Sequence, residues 1–314
     1  MKYVLGFDGG GTKTEMVAVD ADGYELSLYK GGASNPKAVT LDKAQIHIIE
    51  LLDQLYDKGS LEPVHCQGVC LGLAGVDTEQ EKGRMLQLVQ RYFVERGAPN
   101  LPIRVTNDAE IALMAGLGNN QGIIAIAGTG AIVYGITPTG HNFRTGGWGH
   151  ILGDKGSGYE IGLMTLQTVM SAYDGIRPPT QLTKLVTDLY GLRSPQELRS
   201  YIYQPHIQKK HIAESAELCI RAAELDDQAA QEIIKSVATD LANLTGAIRT
   251  KDSWFANSPI AVTGSIFKHS SLYKETYKKQ LEAIWKQPTI VAAEQTPAYG
   301  AALLAAREVD DWGH

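Results

Sequence analysis

Residues 8 to 14 read Asp8-Gly9-Gly10-Gly11-Thr12-Lys13-Thr14, between an apolar run from Tyr3 to Phe7 and an extended run from Glu15 to Val19. The pattern predicts a strand, a turn and a second strand. Glycines let backbone N–H groups approach a phosphate, and the hydroxyls and the ammonium that follow can donate to its oxygens. A plain glycine hairpin is the alternative. We predict a phosphate site made of Gly10, Gly11, Thr12, Lys13 and Thr14.

This turn is not a Walker P-loop, because Thr12 rather than glycine precedes Lys13 and a strand follows instead of a helix. Asp8 closes the first strand, and a carboxylate beside bound phosphates is suited to hold Mg²⁺ through water. We therefore predict Asp8 as a magnesium ligand.

The opening pattern returns in the middle of the chain. Gly122 to Ala127 is apolar, Gly128-Thr129-Gly130 forms a turn, and Ala131 to Ile136 is a further strand. The repetition predicts a structural duplication, with one glycine turn in each half. Many hairpins contain such a triplet, but together with the first turn it predicts that Thr129 and Gly130 also bind phosphate.

Asp108 is the candidate general base. It follows the strand that ends in Val105-Thr106-Asn107 and precedes a helical pattern, so its carboxylate is expected at a helix N-terminus. Transfer of a phosphoryl group to a hydroxyl needs a carboxylate that accepts the hydroxyl proton. An N-cap aspartate, which stabilises a helix by roughly 1 kcal/mol, explains the spacing equally well.

A glycine-dense stretch contains one tryptophan and one acid. It reads Gly146-Gly147-Trp148-Gly149, followed by Gly153-Asp154-Lys155-Gly156-Ser157-Gly158. A sugar site needs a flat apolar surface and acceptors for hydroxyls, which Trp148 and Asp154 can supply, although a loop alone explains the glycines. The histidines are scattered, and His206 and His211 flank Lys209-Lys210 on what we interpret as a solvated helix end, so we predict no transition-metal site.

The composition limits the class of protein. The 314 residues are 44% hydrophobic and 20% charged, with a formal net charge of −6, so we expect a soluble globular chain that does not bind nucleic acid. We find no apolar run long enough for a membrane span and no signal peptide. The three cysteines, Cys66, Cys70 and Cys219, are expected as buried free thiols, which favours a cytoplasmic location.

In their order along the chain, these segments resemble the BadF/BadG/BcrA/BcrD-type ATPases, and among them the N-acetylglucosamine kinases. Val262-Thr263-Gly264-Ser265 is similar to the adenosine motif of the family, and Thr296-Pro297-Ala298-Tyr299-Gly300-Ala301-Ala302 to its second connecting motif. Gly31-Gly32-Ala33-Ser34-Asn35 resembles the sugar loop and Asn107-Asp108-Ala109 the catalytic-base motif. The resemblance covers nearly the whole chain.

The resemblance implies an α/β fold of two actin-like (ribonuclease H-like) domains, with mixed sheets around an ATP/sugar cleft. The first domain would comprise residues 1–115 and 296–314, and the second 116–295. It also implies a homodimer, the cofactors ATP and Mg²⁺, and a nucleotide site that includes Gly264 and Ser265. The implied sugar ligands are Asn35, Asn107, Asp108, Gly128, Thr129, Trp148 and Asp154.

The function implied is ATP-dependent phosphorylation of the 6-hydroxyl of an amino sugar such as N-acetylglucosamine, with N-acetylmuramic acid and glucosamine as alternatives. One departure concerns Lys155, because the family commonly has an acid there. Lys155 either favours an acidic substituent on the sugar or points to solvent. The rival functions are an ATPase activator of a dehydratase, which needs cysteines for an iron–sulfur cluster, and a non-catalytic sugar sensor. A repressor would need a helix-turn-helix ahead of residue 8.

Overall fold

The computed structural model describes residues 1–76, 78–309 and 312. The chain divides into two compact units, which we call unit 1 (Met1–Gln121 and Ala293–His314) and unit 2 (Gly122–Ala292). The predicted domain bounds stay a prediction. Among the described helices, none combines the length and the apolar composition that crossing a bilayer requires.

The two strand–turn–strand patterns predicted from the sequence are present, with differences of one or two residues at the strand ends. The strands are β1 (Tyr3–Gly9), β2 (Thr14–Asp20), β3 (Glu25–Gly31), β4 (Cys66–Leu73), β5 (Ile103–Thr106), β6 (Gly122–Ala127), β7 (Ala131–Ile136), β8 (Asn142–Gly146), β9 (Ile260–Thr263) and β10 (Ile290–Ala292). The helices are α1 (Leu41–Lys58), α2 (Glu79–Glu95), α3 (Asp108–Leu117), α4 (Gly158–Tyr173), α5 (Leu182–Tyr190), α6 (Glu197–Ile202), α7 (Lys209–Ala213), α8 (Ser215–Glu224), α9 (Gln228–Ile248), α10 (Ser265–His269), α11 (Ser271–Ile284) and α12 (Pro297–Ala306).

The two units share one sheet topology. In unit 1 the strand order is β3-β2-β1-β4-β5, and in unit 2 it is β10-β9-β6-β7-β8, which is the same order read from the other edge. In both units the first three strands run antiparallel, and the fourth lies parallel to the first. The predicted duplication and the predicted α/β class with mixed sheets are therefore confirmed.

Both faces of the unit 1 sheet are covered by helices. Along β1, Tyr3, Leu5 and Phe7 belong to a core cluster that includes residues of α1 and α2, whereas Val4 packs with α3 and α12 on the opposite face. This alternation is the two-residue period of a strand. Gly6 has no room for a side chain, because an added Cβ would lie 2.1 Å from the carbonyl oxygen of Ala298 in α12. The sheet and α12 are therefore in backbone contact.

The core of unit 2 lies between its sheet and the helices that follow β8 along the chain. Its buried cluster joins residues of β6 and β7 to residues of α4, α8, α9 and α11, such as Ile161, Ile220, Leu241 and Tyr277. All three cysteines of the chain are buried and unpaired, as predicted. Burial raises the pKa of the Cys66 thiol to about 12, so it stays a neutral apolar side chain near pH 7.

Candidate active site

The glycine turn of unit 1 is short and well anchored. The N–H of Gly10 donates to the carbonyl of Lys13 at 2.9 Å, so the turn proper comprises residues 10 to 13. The carbonyl of Gly10 accepts from the N–H groups of Ser34 and Asn35, both at 3.1 Å. The turn and the loop at residues 31–35 thus form one backbone-bonded assembly.

The sequence predicts Thr14 as a phosphate ligand, but its side chain faces inward. Its side chain is fully buried, and its hydroxyl is hydrogen-bonded to the carbonyl of Gly32 at 2.6 Å and to the hydroxyl of Ser34 at 2.8 Å. Gly11, Thr12 and Lys13 are exposed and Gly10 is half-buried. Thr14 therefore holds the neighbouring loop in place, because it is the first residue of β2 and its side chain points into the unit.

Lys13 has an acidic partner two residues away. Its ammonium lies 2.7 Å from the carboxylate of Glu15, which is also 3.2 Å from the ammonium of Lys30. Burial alone would raise the pKa of Glu15, but hydrogen bonds from Lys13 and Lys30 outweigh it and lower that pKa. The Lys13 side chain remains mostly exposed, so it can turn toward an anion at little cost.

Asp8 is a half-buried carboxyl with an acidic neighbour. Burial, followed by the negative charges of Asp108 and Glu15, raises its pKa from 3.8 to about 6, and Lys13 opposes this rise. A carboxylate that is both desolvated and close to like charge favours a proton or a cation. The structure therefore brings Asp8 and Asp108 together, and the surroundings of Asp8 fit the predicted cation site.

Asp108 is the first residue of α3, and it is not the cap of that helix. Asn107 is the N-cap, and its side-chain oxygen accepts from the backbone N–H of Glu110 at 2.9 Å. Because Asn107 satisfies this helix donor, the capping explanation does not account for an aspartate at position 108. Asn107 therefore has a structural role as the N-cap of α3.

Asn35 is held at the sugar loop that the sequence predicts. Its side-chain oxygen accepts from the backbone N–H of Lys37 at 2.8 Å. Gly75, with a φ of +76°, lies against it, and an added Cβ there would be 2.1 Å from that oxygen. The left-handed backbone and this close approach both require glycine at position 75.

The glycine turn of unit 2 is joined to the start of α4. The N–H of Gly128 donates to the carbonyl of Gly130 at 2.9 Å, and the carbonyls of Gly128 and Thr129 accept from Gly158 at 2.8 Å and Tyr159 at 3.1 Å. The Ser157 side chain caps α4 by accepting from Glu160 at 3.1 Å. The backbone N–H groups of the turn are thus fixed beside a helix N-terminus, where anions are favoured.

A cavity of about 710 Å³ opens beside this turn. Its lining includes the predicted residues Gly128, Thr129 and Ser265, and its volume is in the range of small-molecule sites. Gly264 precedes α10 with a φ of +111°, and an added Cβ would be 2.2 Å from the carbonyl oxygen of Ala127. Glycine therefore lets the end of β9 approach β6 and places Ser265 at the cavity.

One wall of this cavity was not predicted from the sequence. It comes from α7, from the junction of α7 with α8, from α8 and from α10, and comprises Lys210, Ala213, Glu214, Ala216, Glu217, Ile220, Arg221, Glu224, Ile266 and His269. The only available signal was the amphipathic pattern of α8. Such a pattern does not distinguish a cavity wall from a solvated face.

The predicted sugar residues Trp148 and Asp154 have different surroundings. Trp148 is 58% exposed, and the guanidinium of Arg144 lies 4.1 Å from its ring centroid. Asp154 is buried, accepts from the N–H of Ala131 at 3.4 Å, and forms an ion pair with Lys209. Lys209 was interpreted as part of a solvated helix end, and that interpretation was wrong, since its side chain reaches a buried acid.

Lys155 does not simply point to solvent. Although more than half exposed, its ammonium forms an ion pair with Glu160 and lies 3.3 Å from the carboxylate of Asp240. Hydrogen bonding to Glu160 raises the pKa of Lys155. Glu160 also accepts from the N–H of Gly156 at 2.8 Å. The reversed charge at position 155 is thus compensated by acids of α4 and α9.

Two topologically equivalent α/β units, each with a glycine turn between its first two strands, define an actin-like ATPase fold. The chain belongs to the BadF/BadG/BcrA/BcrD ATPase family, whose model matches residues 5–305. It is similar over 312 residues to the N-acetylmuramic acid/N-acetylglucosamine kinase of Clostridium acetobutylicum, with 32% identity that covers 99% of this chain and 100% of that protein.

One further relative and one solved structure are also similar to the chain. The N-acetyl-D-glucosamine kinase of Dictyostelium discoideum is 31% identical over 312 residues, which covers 96% of this chain and 97% of that protein. A solved ROK family glucokinase from Streptomyces griseus, in complex with glucose and AMPPNP, shares the fold with a TM-score of 0.63 at 20% identity, and covers 97% of this chain and 99% of its own. The resemblance seen in the sequence is confirmed at the level of family and fold.

Proposed function

We propose that this chain is an ATP-dependent kinase that phosphorylates the 6-hydroxyl of an amino sugar, with N-acetylglucosamine as its first substrate. The observation that carries the proposal is the pair of neighbouring carboxyls at Asp8 and Asp108, in a family member whose full-length relatives are named as amino sugar kinases. One carboxyl suits a cation beside phosphates, and the other suits a hydroxyl proton.

Asp108 is the proposed general base. Its carboxylate accepts the proton of the sugar hydroxyl as the hydroxyl oxygen attacks the terminal phosphorus of ATP, and ADP leaves. General base catalysis of this kind contributes about 10²- to 10⁴-fold to a rate. Since Asn107 caps α3, Asp108 is held at the helix N-terminus without being needed as the cap.

Asp8 is the proposed ligand of Mg²⁺, held through water. When bound, the metal supplies positive charge that offsets the charge on the phosphates. The desolvated surroundings that raise the pKa of Asp8 favour a cation at this carboxylate. The N–H groups of the two glycine turns, together with Thr12 and Lys13, would hold the phosphates. The turn residues of unit 2 are Gly128, Thr129 and Gly130.

The cavity beside Gly128, Thr129 and Ser265 is the proposed site of the nucleoside. The sugar would be held by Asn35 and Asn107, by the face of Trp148, and by the carboxylate of Asp154. We also propose the two-domain division at residues 115 and 296, a homodimer, and a location in the cytoplasm.

The burial of the three cysteines argues against the rival function, an ATPase activator of a dehydratase that holds an iron–sulfur cluster. Cys66, Cys70 and Cys219 are buried in separate cores, and burial raises the pKa of each thiol, which opposes the thiolate form that binds iron.

The test is a coupled assay of ADP release with N-acetylglucosamine, N-acetylmuramic acid, glucosamine and glucose as acceptors. We expect turnover that requires both Mg²⁺ and a sugar, with N-acetylglucosamine among the acceptors. If none of the four sugars stimulates ADP release, the proposed function is wrong.

A further inference from the structure

The feature that carries a further inference is the ion pair between Lys209, the first residue of α7, and Asp154. It lies beside the second glycine turn, because a Cβ added at Gly130 would be 2.8 Å from the Lys209 ammonium and 3.4 Å from an oxygen of Asp154. We call it the Lys209–Asp154 pair. All its neighbours named here belong to unit 2.

Asp154 needs this cation. Its side chain is only 4% exposed, and the backbone bond from Ala131 is long at 3.4 Å. A buried carboxylate without a charged partner is strongly disfavoured. Lys155, its neighbour in the sequence, is engaged with Glu160 and Asp240 instead. Lys209 is therefore the cation that the structure places at the proposed sugar ligand.

Lys209 retains hydrogen-bonding capacity after it has paired with Asp154. An ammonium carries three donors, and a carboxylate with two oxygens does not occupy them all in one contact. The Lys209 side chain is 29% exposed and that of Asp154 only 4%, so a ligand would approach the pair from the side of the ammonium. The pair therefore presents an acceptor and a donor side by side.

We propose that Lys209 binds the carboxylate of an acidic substituent on an amino sugar whose neighbouring hydroxyl donates to Asp154. This inference rests on the proposed function and names the substrate class of its sugar site. Asp154 alone would repel an acidic sugar. With Lys209 beside it the local charge sums to zero, and the proposed sugar site accepts neutral and monoanionic amino sugars.

The phosphates of ATP are the competing ligand, because Gly130 is close. The hydrogen-bonding requirement of Asp154 favours the sugar. An ionised triphosphate has no donor for this carboxylate, whereas an acidic sugar supplies a hydroxyl donor for Asp154 and one carboxylate for Lys209.

The experiment compares kcat/KM for N-acetylmuramic acid and N-acetylglucosamine in wild type and in Lys209→Met. We expect the substitution to lower the value for the acid by about 10- to 100-fold, the effect of one hydrogen bond between charged groups, and the value for the neutral sugar much less. Lys209→Arg should keep most of the wild-type kcat/KM for the acid. Lys155→Met is the matched control, and should leave the ratio of the two values unchanged.

A measurement on the wild type covers the case in which Lys209→Met does not fold. The methyl ester of N-acetylmuramic acid has the same shape without the charge, and its KM should be about ten-fold higher than that of the acid. An equal loss for both sugars, or a selective rise in the KM for ATP, would overturn the assignment of Lys209. So would a wild-type enzyme that phosphorylates N-acetylglucosamine but not the acid. If none of the four sugars of the ADP-release assay is phosphorylated, the proposed function itself fails.

Discussion

Besides burial, the negative charge of Asp108 raises the pKa of the Asp8 carboxyl. Burial, followed by the negative charge at Asp108, raises the pKa of Asp8 to about 6. Asp8 is the last residue but one of β1 and Asp108 is the first residue of α3, so two elements far apart in the sequence place two acids in one local environment. A coupled pair of acids with separated roles is a recurrent sign of a catalytic site.

Replacing Asp108 should affect turnover far more than folding. For Asp108→Asn we expect kcat to fall by about 100-fold or more, because the proton acceptor is lost while its shape is kept. Steady-state kinetics with saturating ATP and sugar measures this. Asp42→Asn is the matched control, since Asp42 is also an acid in the first turn of a unit 1 helix. A variant Asp108→Asn with wild-type kcat would exclude Asp108 as the base.

Replacing Asn107 tests whether Asn107 stabilises α3 as its N-cap while Asp108 serves catalysis. Loss of the side chain that accepts from Glu110 should lower the free energy of unfolding by about 1 kcal/mol in Asn107→Ala. Urea denaturation followed by circular dichroism checks the value. If Asp108→Asn were the more destabilised of the two variants, Asp108 would be acting as a structural residue.

Asp8 should make stability depend on pH in a defined window. Its pKa is 3.8 ordinarily and about 6 in the folded chain, so the folded state binds the proton more tightly than the unfolded state. The free energy of unfolding should therefore fall as pH rises from about 4 to about 6, and the lost stability is not regained above that.

Asp8→Asn has no proton to lose at this position. Its stability relative to wild type should rise across the same window by about 2 kcal/mol, measured by urea denaturation without Mg²⁺. In Asp108→Asn the upper limit of the window should move to lower pH, because the repulsion is removed, whereas the lower limit, set by the ordinary pKa of Asp8, stays where it is. Parallel stability curves for wild type and Asp8→Asn would contradict the assigned pKa.

Two glycine-to-alanine substitutions should change the stability of the chain in opposite directions. At Gly9 an added Cβ would be 2.1 Å from the Ser34 hydroxyl, so Gly9→Ala should separate Ser34 from Thr14 and destabilise the chain by about 1–3 kcal/mol. Gly83 lies inside α2 with nothing within 4 Å of an added Cβ, so Gly83→Ala should stabilise by about 0.5–1 kcal/mol. Thermal melts of both variants test the pair; shifts of the same sign would be inconsistent with this packing.

Filling the cavity of unit 2 should weaken nucleotide binding selectively. Ala213 lines it, and Ala213→Phe should raise the KM for ATP by about ten-fold, since overfilling costs ~1–3 kcal/mol, without a comparable change in the KM for the sugar. Ala21→Phe, at an exposed turn of unit 1, is the control. An unchanged KM for ATP in a folded Ala213→Phe variant would place the nucleoside elsewhere.

The sequence was sufficient for the features that short-range rules govern. Apolar runs around two glycine turns predicted the paired hairpins of β1–β2 and β6–β7, and the similar patterns predicted one topology twice. Period and turn chemistry act over a few residues, which is why they can be recognised in a single sequence. The ordered motifs were specific enough for the family.

Tertiary structure alone decided which side chains meet. Thr14 lies in a phosphate-like motif, yet packing buries it against Ser34. Lys155 is next to Asp154 in the sequence, yet Lys155 pairs with Glu160, and the ion-pair partner of Asp154 is Lys209 from α7. Ion pairing and burial depend on elements that are distant along the chain, and local spacing carries no information on which distant element will pack there. The strands and turns followed from the sequence, whereas the charges around the proposed sugar ligand followed only from the packing of α7 beside the second glycine turn.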